Sequence, residues 1–181
     1  MTKFVVLSGC SGGGKTALGA ELARRGYRTI AEPGLRIVRE ERARGGEALP
    51  WIDEERFARR ALAMARADLD AASAGQENSV FFDRGLVDAA AALDHATGHH
   101  RAERYEGHEL LCRQVFFVPP WEKHFHQSAD RRHSFANACA EYERLLEAYR
   151  ILGFTPFILP HESVEARADR LLAALDLLDH R

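Results

Sequence analysis

The residues from 9 to 16 carry the most specific chemical pattern in the sequence. They read GCSGGGKT, which fits the phosphate-binding pattern GxxxxGK[ST]. Glycines let the backbone curl so that its N–H groups converge on phosphate, and a following helix adds positive potential. Lys15 would reach the β- and γ-phosphates, and Thr16 would offer a hydroxyl to Mg²⁺. The predicted nucleotide-binding residues are Gly9, Cys10, Ser11, Gly12, Gly13, Gly14, Lys15, Thr16 and Ala17.

The use of lysine supports this interpretation over a plain glycine-rich turn. Lysine occurs only at positions 3, 15 and 123, and arginine supplies almost all the other positive charge. A compact ammonium group fits among phosphate oxygens, where a planar guanidinium would not be equivalent. Lys15 is therefore a candidate catalytic residue.

Two acidic residues come directly after predicted strands. Because parallel strands end on the ligand side of an open α/β sheet, both carboxylates should face a bound ligand. Asp83 could hold Mg²⁺ with Thr16, or it could be a helix N-cap. Glu32 could be the general base for an acceptor hydroxyl, or a solvated acid at a strand–helix corner. Arg84 would aim its guanidinium at phosphate or acceptor.

Four further arginines could contact anions. Arg131 and Arg132 lie in a polar segment, about residues 121–133, that follows two prolines and reads as a lid. Arginines on a closing lid can neutralise the transferring phosphoryl group while water is excluded, although a charged loop without a role is the alternative. Arg36 and Arg39 could clamp an anionic acceptor, or could belong to a surface helix that shares charge with Glu40 and Glu41.

The elements that position these residues alternate between short β-rich runs and longer helical ones. This order predicts an α/β fold in which helices cover both faces of a parallel sheet. No linker or internal repeat interrupts residues 1–181, so we expect one domain. The predicted strands are 3–8, 27–31, 79–82, 114–118 and 155–159. Pro156 indicates that the last strand lies at an edge, or that the proline falls in the first turn of its pairing. The predicted helices are 16–25, 35–44, 53–72, an Ala-rich helix through about 93, 134–152, and one capped by Ser163.

Composition limits the classes of function. The 181 residues carry a formal net charge of −2, which argues against sequence-independent binding of nucleic acid. The three cysteines, at positions 10, 112 and 139, fit a reduced, cytoplasmic protein better than a disulfide framework. No segment approaches the roughly 20 apolar residues that a bilayer-spanning helix requires, so we expect no membrane partner.

Residues 9–16, Glu32-Pro33, Asp83-Arg84-Gly85 and Asp130-Arg131-Arg132 together resemble the kinase-like AAA domains, a group that includes ribosylnicotinamide-kinase-like proteins. The resemblance implies a P-loop NTPase with a five-stranded parallel sheet in the order 2-3-1-4-5. It also implies that Glu32 is the general base, that Asp83 and Arg84 contact Mg²⁺ and phosphate, and that the loop 160–163 lies next to the adenine. Deoxynucleoside kinases usually have Glu-Arg-Ser where this chain has Asp83-Arg84-Gly85, so a deoxynucleoside acceptor is less well supported.

The leading hypothesis is an ATP- and Mg²⁺-dependent phosphotransferase that acts on a small, nucleoside-like or other hydroxyl or phosphate acceptor. The alternative is a nucleotide-binding regulatory module with little acceptor-dependent turnover. ATP is preferred over GTP because the guanine-reading motif NKxD does not occur in the sequence. The sequence indicates neither the acceptor nor the oligomeric state.

Overall fold

The computed structural model of the chain describes residues 3–75, 79–122 and 134–179. The strands are β1 (Lys3–Gly9), β2 (Arg28–Ile30), β3 (Ser79–Asp83), β4 (Gln114–Val118) and β5 (Thr155–Ile158). The α-helices are α1 (Lys15–Arg24), α2 (Pro33–Arg44), α3 (Glu54–Ser73), α4 (Leu86–Thr97), α5 (Phe135–Ile151) and α6 (Val164–Asp179). Two short 3-10 turns, Ala102–Tyr105 and His108–Leu110, precede β4. None of the described helices combines the length and the apolar character needed to cross a membrane.

The five strands form one parallel sheet in the order β2-β3-β1-β4-β5. The predicted fold class and strand order are therefore confirmed. Strand β1 lies at the centre, where Leu7 is in register with Asp83 of β3 and Gly9 with Val118 of β4. This register brings the ends of β1 and β3 side by side, because parallel strands point the same way.

Alternating side chains of the buried strands build two hydrophobic cores. On β1, Val6 faces a core that α2, α3, α4 and α5 cover, while Val5 faces one that α1 and α6 cover. Both residues are almost completely buried. Strands buried on both faces explain why the sequence shows continuous apolar runs such as VFF and QVFFV rather than alternation.

Element boundaries differ from the predictions mainly at helix and strand ends. Helix α1 begins at Lys15 instead of Thr16, α2 begins at Pro33 instead of Leu35, and β2 has three residues instead of five. Proline suits the first turn of a helix because that turn needs no intrahelical N–H donor. Pro156 does lie in the edge strand β5, as predicted, where a missing N–H leaves no partner unsatisfied.

Candidate functional site

The loop between β1 and α1 is shaped by glycines that other residues could not replace. Gly9 has φ of 118°, and a Cβ there would lie 2.3 Å from the carbonyl oxygen of Val118. Gly12 and Gly14 also have positive φ, and Gly14 occupies the N-cap of α1. Among the described residues no side chain caps this helix, so the N–H groups of its first turn have no side-chain partner there and are available to a ligand in the loop. The strand–loop–helix context that the motif requires is present.

Lys15 lies inside this loop with only 4% of its surface exposed. Its ammonium nitrogen donates to the carbonyl oxygens of Cys10, at 2.6 Å, and of Gly9, at 3.3 Å. Thr16 and Ala17, which follow it, are exposed at the start of α1. The structure thus brings the predicted phosphate-binding residues together at one helix N-terminus.

Thr16 and Asp83 meet at the ends of α1 and β3. The Thr16 hydroxyl donates to Asp83 Oδ2 at 2.8 Å, and the buried Oδ1 has no hydrogen-bond partner among the described residues. Burial raises the pKa of Asp83, the Lys15 charge lowers it in part, and the Glu32 charge raises it further. A buried carboxylate oxygen without a donor, beside a hydroxyl, is a donor set that suits Mg²⁺. The N-cap alternative for Asp83 is wrong, because Gly85 caps α4.

Magnesium would need further oxygen ligands at this position. Among residues 3–75, 79–122 and 134–179, no group of three or more His, Cys, Asp and Glu side chains could hold a metal ion. Mg²⁺ commonly binds through one or two protein ligands together with substrate phosphates and water. The Thr16–Asp83 pair therefore fits a metal that arrives with a nucleotide.

Arg84 lies between two glutamates. Its Nη1 donates to Glu141 Oε1 at 2.7 Å, and its Nε lies 3.3 Å from Glu32 Oε1 without hydrogen-bond geometry. Arg84 has φ of 60°, a left-handed conformation that costs a non-glycine residue roughly 1–3 kcal/mol. Its backbone N–H donates to Leu7 O at 3.0 Å, which fixes this bend at the end of β3.

Glu141, on α5, is a site residue that the sequence analysis missed. Burial raises its pKa, but the charge and hydrogen bond of Arg84, the charge of Lys15 and the Ser11 N–H outweigh burial and lower the pKa to about 2. Its Oε2 accepts from the Ser11 N–H at 3.3 Å. An available signal was its position on α5, one helical turn from the buried Ala138 and Leu145.

Glu32 occupies the N-cap position of α2 without using its side chain as a cap. Its side chain is only 14% exposed, so the alternative of a solvated corner acid is wrong. A carboxylate that neither caps a helix nor faces bulk solvent, and that lies 3.3 Å from Arg84 Nε without a hydrogen bond to it, can bind a ligand group. Next to it, a Cβ on Gly34 would lie 3.2 Å from Cζ of Phe57 and 3.5 Å from Glu32 Oε1, so the absence of a side chain at Gly34 lets these two groups lie close to the backbone.

A cavity of about 530 Å³ opens beside these groups. The carboxylates in its lining belong to Glu32, Glu54, Asp88 and Glu141, and the guanidinium groups to Arg84 and Arg144. Its apolar wall comes from the following residues of α2, α3, α4 and α5 and of the loop before α3: Leu35, Val38, Pro50, Phe57, Ala58, Ala61, Ala89, Ala91, Ala92, Ala140 and Leu145. The cavity has the size and mixed lining of a small-molecule site.

A family comparison matches residues 4–167 to a model described as an AAA domain. The match covers most of the chain. The chain belongs to this family. Comparison with curated protein sequences found no match.

Solved structures show that this AAA domain has the fold of kinase-like P-loop NTPases. A deoxyadenosine kinase from M. mycoides is 16% identical, with a TM-score of 0.63, covering 96% of this chain and 98% of the other. A shikimate kinase from Acinetobacter baumannii is 16% identical, with a TM-score of 0.59, covering 97% and 93%. The NadR protein in complex with NR is 18% identical, with a TM-score of 0.65, covering 96% and 50%.

The AAA domain holds a second acid that the sequence analysis missed. Asp88 is 2% exposed and accepts from Ser8 Oγ at 2.6 Å, Tyr149 OH at 2.7 Å and Gly85 N at 3.0 Å. Burial and the negative charge of Asp88 raise the pKa of Tyr149 well above its usual value, so the phenol stays a donor. This network joins β1, α4 and α5 directly behind Arg84.

The remaining predicted arginines lie elsewhere. Arg36 forms a 2.6 Å ion pair with Asp68 of α3, and Arg39 is exposed; neither lines the cavity. The predicted anion clamp is therefore wrong, and the surface-helix alternative describes α2 better. Arg131 and Arg132, with lid residues 123–133, lie outside the described residues.

Proposed function

We propose that this protein is an ATP-dependent phosphotransferase that moves the γ-phosphate of ATP to a hydroxyl group of a small acceptor. The observation that carries the proposal is the arrangement of Glu32 and Arg84 beside the phosphate-binding loop, at the mouth of a cavity. A nucleotide switch would need the loop and the Thr16–Asp83 pair, but it would not need a carboxylate–guanidinium pair facing an acceptor-sized space.

The donor would bind along residues 9–17. The N–H groups at the start of α1 would donate to the phosphate oxygens, and Lys15 would leave the carbonyls of Gly9 and Cys10 to reach the β- and γ-phosphates. The loop 160–163 would lie next to the adenine, as the family resemblance implies. Within this region Trp121 stacks on His161, with ring centroids 4.5 Å apart.

Thr16 and Asp83 would hold Mg²⁺ together with phosphate oxygens. The metal would supply positive charge against the charge that develops on the transferring phosphoryl group. Asp83 would then gain the partner that its buried Oδ1 lacks among the described residues.

Glu32 would act on the acceptor hydroxyl. Its carboxylate can accept the hydroxyl proton as the oxygen attacks phosphorus, and Arg84 Nε, which lacks a hydrogen-bond partner among the described residues, can donate to the same oxygen. Glu141 holds the other end of the guanidinium and so fixes the direction of Nε. In this scheme Glu141 is a positioning residue, and Glu32 and Arg84 are the catalytic residues.

The charge of the cavity favours an uncharged or cationic acceptor. Among the described residues, four carboxylates and two guanidinium groups line it, and Arg84 is already neutralised by two of those carboxylates. A second phosphate or a carboxylate on the acceptor would face a net negative wall of low polarity, which is unfavourable. Nucleosides, ribosylnicotinamide and amino sugars fit this charge better than nucleoside monophosphates do.

The test is release of ADP from Mg-ATP with acceptors in matched pairs, such as adenosine with AMP and ribosylnicotinamide with its phosphate. We expect stimulation by the unphosphorylated member of a pair, and at least roughly 10-fold less by its phosphorylated partner, since one unfavourable interaction of about 1.4 kcal/mol suffices. Stronger stimulation by the phosphorylated member would contradict the acceptor class. No stimulation, with ATP binding measured separately, would favour the regulatory module.

A further inference from the structure

Arg167, in the first turn of α6, reaches the phosphate-binding loop from outside. It is 5% exposed, and its Nη1 donates to the carbonyl oxygen of Gly13 at 3.2 Å. The guanidinium lies against Gly14 so closely that a Cβ on Gly14 would be 3.1 Å from Nη2. This arginine has no role in the predictions from the sequence or in the phosphotransfer scheme above.

The charge of Arg167 has no counter-ion within the described ranges. No ion pair joins it to a carboxylate there, and its buried Nε has no hydrogen-bond partner among the same residues. Burial lowers its pKa, and no neighbouring acid opposes that effect. By contrast, Arg84 contacts Glu32 and Glu141, and Arg104, also buried, pairs with Asp94 at 2.5 Å.

A buried cation without a counter-ion lowers the stability of a folded protein. A bound ligand that supplies the opposite charge would offset this cost. One peptide group separates Arg167 from the inside of the phosphate-binding loop, and a nucleoside triphosphate is the most anionic ligand that this loop would take.

The geometry of the peptide between Gly13 and Gly14 gives Arg167 a specific action. In a trans peptide the C=O and the N–H point in opposite directions. A guanidinium that holds the Gly13 carbonyl therefore turns the Gly14 N–H away from itself. A cation on the carbonyl also polarises the peptide, and so strengthens the N–H as a donor.

We propose that Arg167 is a positioning residue of the donor site, which holds the Gly13–Gly14 peptide so that the Gly14 N–H binds donor phosphate, and whose counter-ion is the bound di- or triphosphate. The inference rests on the nucleotide donor of the proposed function but not on any acceptor. We therefore expect Arg167 to lower the stability of the nucleotide-free protein and to raise the stability of the nucleotide-bound protein.

The test uses the full chain with Arg167→Met, Arg167→Lys and the control Arg170→Gln. Arg170 lies one turn further along α6, is more than half exposed and pairs with Glu162 at 2.7 Å. Thermal unfolding is measured without nucleotide, and dissociation constants are measured for AMP, ADP and ATP with Mg²⁺. Arg167→Lys keeps the positive charge and provides a second variant if Arg167→Met does not fold.

We expect Arg167→Met to have a melting temperature equal to or above that of the wild type without nucleotide. We also expect its affinity for ADP and ATP to fall by at least roughly 10-fold, a change of about 1.4 kcal/mol. The affinity for AMP should change less, Arg167→Lys should recover part of the loss, and Arg170→Gln should bind all three nucleotides normally.

Two results for Arg167→Met would overturn the proposal. One is Arg167→Met with wild-type affinity for ADP and ATP, whatever its stability. The other is an equal loss for AMP, ADP and ATP, which would indicate a general loosening of the loop. A wild-type protein that binds no nucleotide would contradict the proposed donor, and this inference with it. Binding of ATP without transfer to any acceptor would contradict only the phosphotransferase.

Discussion

Arg84 and Glu141 lie 57 positions apart in the sequence and form a 2.7 Å ion pair at the edge of the cavity. Arg84 directly follows β3 in a left-handed conformation, and Glu141 projects from α5, so the pair joins the end of the sheet to the helix that forms one wall. Glu141 also accepts the Ser11 N–H. One carboxylate thus links the phosphate-binding loop to the guanidinium that faces the acceptor.

Replacing Glu141 should change how stability depends on pH. Its pKa is lowered from 4.5 to about 2 on folding, so the ionised carboxylate stabilises the native state above pH 4.5 and loses that effect as pH falls toward 2. We expect Glu141→Gln to unfold more easily at neutral pH and to show a flatter decline across this window. Urea unfolding at a series of pH values measures the difference.

The matched control for Glu141 is Glu143→Gln, since Glu143 is exposed on the same helix. If the pH profiles of Glu141→Gln and Glu143→Gln were both parallel to the wild-type profile, this would show that Arg84 does not lower the pKa of Glu141 in the folded protein.

Glu32→Gln should separate binding from chemistry. The amide keeps the shape of the side chain but cannot accept the hydroxyl proton, so acceptor phosphorylation should fall by roughly 10²- to 10⁴-fold. Affinity for Mg-ATP should stay within a few-fold of wild type, because Glu32 lies on the acceptor side. Isothermal titration for ATP and steady-state kinetics for the acceptor check the two expectations. Equal losses in both measurements would refute the base role.

Asp83→Asn should weaken metal binding without lowering the stability of the fold. Burial raises the pKa of Asp83 above its usual value, so the native state binds this proton more tightly than the unfolded chain does, and the ionised carboxylate lowers stability at neutral pH. The neutral amide should therefore leave the melting temperature unchanged or raise it. The Mg²⁺-dependent gain in ATP affinity should fall by roughly 10-fold or more.

A suitable control for Asp83 is Asp70→Asn, which removes an exposed acid from α3. If ATP affinity depended on Mg²⁺ equally in the wild type and in Asp83→Asn, the assignment of the metal to Thr16 and Asp83 would have to be abandoned.

Asp88→Asn should destabilise the fold. Three donors converge on the carboxylate, and an asparagine oxygen cannot accept from both the Ser8 and Tyr149 hydroxyls in the same geometry. An unsatisfied buried donor costs roughly 1–3 kcal/mol, measured as the free energy of unfolding in urea. Adding Tyr149→Phe should recover part of that loss. A change within about 0.5 kcal/mol, which is typical of substitutions at surface positions, would contradict the stabilising role of this hydrogen-bond network.

Local sequence patterns were sufficient to predict the parallel sheet and the phosphate-binding loop. The alternation of apolar runs with helical periods predicted five parallel strands, and the fixed spacing of Gly9 to Thr16 predicted a strand–loop–helix that the structure contains. Asp83 and Glu32 were found because residues directly after parallel strands share one edge of the sheet.

The rest of the site depends on contacts between distant segments. Glu141, Asp88 and Arg167 lie in the middle or the first turn of helices, where an acid or arginine usually faces solvent. The packing of α4, α5 and α6 against the sheet buries Asp88 and Arg167 and partly buries Glu141. The same packing joins Arg36 to Asp68, which no local pattern on α2 indicated. Side-chain direction across an interface is set by tertiary structure, not by propensity.

Transfer of label from [γ-³²P]ATP is the most direct measurement of the central claim. The wild-type protein and Lys15→Ala are incubated with Mg²⁺, labelled ATP and the acceptor that best stimulates ADP release, and the products are separated. The account predicts label on the acceptor, lost by on the order of 100-fold in Lys15→Ala because the lysine stabilises transferred charge. Label that appears only on inorganic phosphate, at a rate that no acceptor changes, would contradict it.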